Sequence, residues 1–188
     1  MAQWMVAAVP DWSAVRMALD VGCDHGMLLN TVAMQMKKEG NGGRVVGLDR
    51  WRETAVASLQ RAREEGVQEH ITCREGDSRR LPFADGYFDV VVSAVHLNKL
   101  GGRRVAGRSR AAAAVAERAR GLGEMVRVLK LSGVGVVWDL VCMPEYTQRL
   151  REMQMEDVRV SDRVTAYMVD SHVVSLRKPL TPLPGWDI

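Results

Sequence analysis

The chain has 188 residues, with 26 Lys or Arg against 23 Asp or Glu and a formal charge of +3. Hydrophobic residues make up 47%, beside 17 glycines and 6 prolines, which excludes a collagen-like or disordered chain and supplies the apolar mass for one compact domain. So small a net charge does not by itself point to nucleic acid, and no apolar run approaches the roughly 20 residues of a membrane span.

Cys23, Cys73 and Cys142 are odd in number and far apart, so neither a disulfide framework nor a zinc site is suggested, and a reducing compartment is expected. Met1–Val9 lacks a basic start and is interrupted by Pro10 and Asp11, so no targeting signal is visible and a soluble, cytoplasmic protein is expected.

Residues 1–16 are expected to form a short N-terminal extension, residues 17–179 the domain, and residues 180–188, with Pro182 and Pro184, an irregular tail. From Met17 onward short β-branched runs alternate with helical periodicity. Strands are predicted at Met17–Val21, Arg44–Asp49, Ile71–Glu75, Phe88–Ala94 and Val134–Leu140, several as continuous apolar runs suited to a sheet covered on both faces. Between them the predicted sheet-facing stripes are Leu28, Leu29, Val32 and Met36; then Val56, Leu59 and Ala62; then Val115, Ala119, Leu122, Val126 and Leu129. Gly121 and Gly123 in the last helix imply a bend or close packing. After Leu140 a helix from about Glu145 to Met153 precedes two strand-like runs, Asp157–Arg163 and Ser171–Lys178, which read as an antiparallel hairpin appended to a parallel sheet.

The first strand runs into Asp20-Val21-Gly22-Cys23-Asp24-His25-Gly26 and then a helix. Free backbone N–H groups and the helix dipole at such a turn attract an anionic group, and Gly22 and Gly26 permit close approach. Two glycines alone also suit a tight turn. Asp49, at the end of the second strand and 23 residues after Gly26, lies near the spacing at which a carboxylate reaches ribose hydroxyls, although alone it reads as a turn former or helix cap. Asp77 and Ser78 end the third strand on the same edge, where Asp77 would accept from an exocyclic amine or simply cap a turn. The turn lacks the third glycine of the dinucleotide-binding pattern, which argues against a nicotinamide enzyme.

These residues resemble the class I S-adenosylmethionine-dependent methyltransferases, especially the subgroup of ubiquinone- and menaquinone-biosynthesis methyltransferases. Asp20–Gly26, Val46–Asp49, the block from Gly76 through Leu81-Pro82-Phe83 to Phe88-Asp89-Val90-Val91, and Glu124–Gly133 follow the family order and cover most of Met17–Trp138. The resemblance implies a Rossmann-like, doubly wound, mostly parallel sheet with an antiparallel C-terminal strand. It further implies S-adenosylmethionine as cofactor and a small-molecule methyl acceptor as partner. Asp20 and the backbone of Gly22, Cys23, Asp24 and Gly26 would hold the amino acid end, Asp49 the ribose, and Asp77 and Ser78 the adenine. Arg50 and Trp51 would border the adenine, and Ser93 would lie beside the sulfonium. Asp24 stands where the family turn has glycine, and Leu131-Ser132-Gly133 replaces the usual Pro-Gly-Gly.

Methyl transfer depends mainly on alignment, with a general base optional. His96, past the fourth strand, is the candidate base. With few residues before Met17, little chain is left for a lid, so Val95–Arg110 and Met143–Met155 are expected to contact the acceptor. Arg103, Arg104, Arg108 and Arg110 leave an RNA methyltransferase open as an alternative, and Asp24 leaves open a non-catalytic binding protein built on the same fold.

Overall fold

The apolar runs Met17–Val21, Arg44–Asp49 and Phe88–Ala94 suit strands covered on both faces. The computed structural model describes residues 1–50, 52–100, 108–140, 143–162, 164–166 and 169–181. Strands β1 (Met17–Val21), β2 (Arg44–Asp49), β3 (Ile71–Glu75) and β4 (Phe88–Ala94) have the predicted bounds, whereas β5 (Leu129–Asp139) begins at Leu129 rather than Val134. Val90 and Val92 join the core on one face of the sheet and Val91 the core on the other, the alternation of a doubly covered strand. Trp51, Arg103, Arg104, Cys142 and residues 182–188 of the tail lie outside the described residues.

Two further strands, β6 (Glu156–Val160) and β8 (Val169–Arg177), and the short β7 (Val164–Ala166) complete the sheet. The order is β3-β2-β1-β4-β5-β8-β6, with β7 paired to β8. Strands β1 to β5 pair in parallel, while β8 runs antiparallel to both β5 and β6. The expected hairpin is therefore present, and β8 is inserted between β5 and β6.

Helices α1 (Ala2–Ala7), α2 (Met27–Glu39) and α3 (Arg52–Glu64) precede β4, and α4 (Arg108–Val128) and α5 (Met143–Glu152) flank β5. The α2 stripe is as predicted, with Leu28, Leu29, Val32 and Met36 all buried. Of the α3 stripe, Ala62 is buried and Leu59 packs against the core, whereas Val56 is 66% exposed and Ser58 is buried instead. Positions 56 and 62 stand about 120° apart at 3.6 residues per turn, which leaves Val56 beyond the edge of the buried face. Val115 is likewise exposed, and Leu129 belongs to β5. Gly121 packs closely, since a Cβ there would stand 2.9 Å from Leu100 and 3.1 Å from Leu97; Gly123 faces open space. Among the described residues no helix is long and apolar enough to cross a membrane.

The junction of α4 and β5 is tied down by a buried lysine. Lys178 Nζ donates to the carbonyls of Val126 (2.9 Å), Arg127 (3.3 Å) and Leu129 (2.8 Å), which supplies donors to the acceptors at a helix C-terminus. Burial holds its pKa below the usual lysine value. Lys178→Met keeps the apolar stem but orphans these carbonyls, so stability is expected to fall by about 2 kcal/mol. A thermal melt should register this as a midpoint lower by about 5 °C.

Candidate functional site

The turn after β1 is built on three left-handed residues, Gly22 (φ 76°), Asp24 (φ 45°) and Gly26 (φ 78°). The amides of Gly22 and Cys23 both donate to Leu48 O, at 2.8 and 3.2 Å, which fastens the turn to the end of β2. Gly26 admits no side chain, because a Cβ would lie 2.9 Å from Ser58 of α3. Between the two glycines Asp24 takes a positive φ that L side chains rarely adopt. Its amide donates to Asp49 Oδ2 at 3.0 Å and its carbonyl accepts from Ser58 Oγ at 3.0 Å. Its carboxylate is mostly exposed beside His25 and does not fill the groove. Asp24→Gly is expected to raise stability by about 0.5–1 kcal/mol by removing the left-handed cost, read as a higher denaturation midpoint.

Asp20 lies on β1 between Gly47 of β2 and Val92 of β4 and is 1% exposed. Neither carboxylate oxygen meets a donor in hydrogen-bonding geometry among the described residues. Burial, reinforced by the negative charge of Asp49, pushes its pKa up to about 8. The backbone amide of Leu29 offsets this only in part, and a buried acid so poorly supplied with donors is a costly arrangement unless a cationic group completes it.

Asp20, Gly22, Asp24, Val95, Lys99 and Trp138 are among the residues lining a cavity of about 360 Å³ at the carboxyl edge of the sheet. The indole N–H of Trp138 is buried without an acceptor among the described residues. The expectation that little chain remains for a lid is corrected here, because Met1, Ala2 and Met5 at the start of the chain also line this cavity. The spacing of Met1, Met5 and Val9 was the available signal for that contact, but the segment is too short to stand out as a helix. Val95 and Lys99 fall within the segment assigned to the acceptor, whereas Trp138, read only as part of a strand, was missed.

The remaining candidates surround the other half of the edge. Asp49 accepts from Arg50 N at 2.6 Å as well as from Asp24 N, and it borders a second cavity of about 280 Å³ with Cys23, Gly47 and Cys73 beneath α3. Asp77 is held by arginines: Arg50 donates at 2.7 Å, and Arg79 donates from its side chain and its amide. These bonds, Arg79 first, depress its pKa well below the usual carboxylate range. Ser93 is fully buried and its hydroxyl donates to Val21 O at 2.8 Å, bracing β4 against the end of β1. His96 is not on the wall of the larger cavity. Its Nε2 lies 2.9 Å from Ser78 Oγ, and burial lowers its pKa.

A methyltransferase domain family matches residues 19–137, well over half of the chain. The chain belongs to that family, and the sheet order identifies the fold as that of the class I methyltransferases, whose cofactor is S-adenosylmethionine. A demethylmenaquinone methyltransferase of Lactobacillus johnsonii is 34% identical over 74 residues, covering 39% of this chain and 29% of that enzyme. The chain thus aligns with under a third of that relative's length. Among solved structures, an S-adenosylmethionine-dependent methyltransferase from Aquifex aeolicus superimposes with a TM-score of 0.65 at 16% identity, covering 93% of this chain and 87% of that one. The cyclase SpnF superimposes with a TM-score of 0.74 at 16% identity, covering 96% and 81%.

Proposed function

We propose that the protein transfers the methyl group of S-adenosylmethionine to a small-molecule acceptor. The observation that carries this is the buried Asp20 carboxylate, without a side-chain partner among the described residues, bordering a cavity beside a glycine turn, an arrangement suited to the ammonium of the cofactor's amino acid end. In this proposal Asp20 and the backbone of Gly22 to Gly26 hold that end, Asp49 the ribose, Asp77 and Ser78 the adenine, and Ala94 and Val95 flank the sulfonium. When bound, the cofactor supplies an electrophilic methyl group whose bond to sulfur breaks as the acceptor attacks.

The chain's part is alignment and exclusion of water. The cavity's Met5, Leu28 and Trp138 give an apolar wall, which suits an acceptor with apolar surface and would exclude water from the methyl group. A general base is optional, so the position of His96 outside this cavity leaves the proposal intact.

Calorimetric titration with S-adenosylhomocysteine tests the proposal: saturable binding is expected, and absence of heat at millimolar ligand would overturn it. That negative result would instead support a non-catalytic binding protein. The arginine-saturated Asp77 and the contact of His96 with Gly22 favour this second alternative.

A further inference from the structure

A single side chain closes over part of the cofactor edge. Gly22, which should offer bare backbone to a ligand, is covered by an imidazole: a Cβ built on Gly22 would lie 2.1 Å from both Cγ and Nδ1 of His96. The same ring reaches Ser78 Oγ at 2.9 Å, and Ser78 is itself only 3% exposed. His96 follows β4, Gly22 follows β1 and Ser78 follows β3, so one side chain spans three strand ends. Beside it, Arg50 bridges the end of β2 to Asp77 at 2.7 Å.

The backbone before His96 is strained. Val95 has φ 51°, which is an outlier for a β-branched residue and a conformation that persists only when its surroundings enforce it. It is enforced from both sides: Val95 N donates to Trp138 O at 2.8 Å, and His96 O accepts from Lys99 N at 3.0 Å, opening the 3-10 turn Leu97–Lys99. Rotation at Val95 would relieve the strain and carry the ring off Gly22.

We infer that His96 is a clasp that closes the cleft between the glycine turn and Ser78, latched on Ser78 and strained at Val95, and that the cofactor binds only after the clasp opens. This rests on the cofactor site proposed above. The apparent affinity is the intrinsic affinity multiplied by the fraction of open protein, so the clasp weakens and slows binding.

Stopped-flow and calorimetric binding of S-adenosylhomocysteine to three full-length proteins tests this. Relative to wild type, His96→Ala should bind about tenfold faster and tighter, because its open fraction approaches one. Val95→Gly should do the opposite, binding about fivefold more weakly, because glycine removes the left-handed cost of the closed state. Binding by wild type together with unchanged or weaker binding by His96→Ala would overturn the clasp. An unaltered affinity in Val95→Gly would remove the strain from it. If neither wild type nor His96→Ala binds, the cofactor site itself is wrong and the clasp falls with it.

Discussion

Asp20→Asn is expected to weaken S-adenosylhomocysteine binding by about a hundredfold, the loss of a buried charge pair of about 3 kcal/mol, while leaving the unliganded protein equally or more stable at pH 8. The sign follows from the raised pKa of about 8. Below about pH 4 the carboxyl is neutral in the folded and unfolded chain alike, and its burial carries no ionic cost. As pH rises from there to 8, the unfolded chain ionises freely while the folded chain must stay protonated or bury a lone charge. Stability is therefore lost progressively across that window and levels off above it. Asparagine abolishes this slope. A ligand ammonium also removes the cost, so wild-type binding near pH 7 should release a proton. Titration in two buffers of different ionisation enthalpy would detect it, and identical heats would count against the pairing.

The second large effect is expected at Arg127, on α4, whose side chain is only 14% exposed. Its guanidinium donates to Glu124, to Asp85, and to the carbonyls of Leu81 (3.0 Å) and Phe83 (2.9 Å). Glu124 in turn accepts the Leu81 amide at 2.6 Å. Arg127→Ala strands the Glu124 carboxylate and frees the loop between β3 and β4, at a cost of about 3–4 kcal/mol. The thermal midpoint should drop by about 10 °C. Arg127→Lys should recover less than half of this, because an ammonium cannot reproduce the planar fork. Full recovery by lysine would mean that charge alone, not the shape of the contact, holds the loop.

Much of the architecture was legible in the sequence because β1, β2 and β4 are short, mostly apolar runs, buried along most of their length, as a doubly covered sheet requires. Boundaries failed where two periodicities overlap. Val126 and Leu129 are three apart and fit a helix stripe, yet Leu129 pairs with Phe88 as the first residue of β5. In the site, residues on the glycine turn were legible because local backbone geometry demands them. Side chains meeting from distant segments were not: His96 on Gly22 and the arginines on Asp77 carry no signature in spacing. Asp20 stands out for its place in the turn, but nothing in sequence distinguishes a poorly satisfied buried carboxylate from a satisfied one.

The direction in which the chain leaves β1 has a final consequence. From that strand the path proceeds through α2 to β2 on one flank, and only later returns to β4 on the other. Connections leaving a parallel sheet in opposite senses draw apart, and a crevice opens at this topological switch point whatever side chains border it. The hollow is thus a property of connectivity, while the chemistry performed there is written in a few replaceable residues. The likeness to a solved structure named as a cyclase illustrates how one such scaffold can be furnished for different reactions.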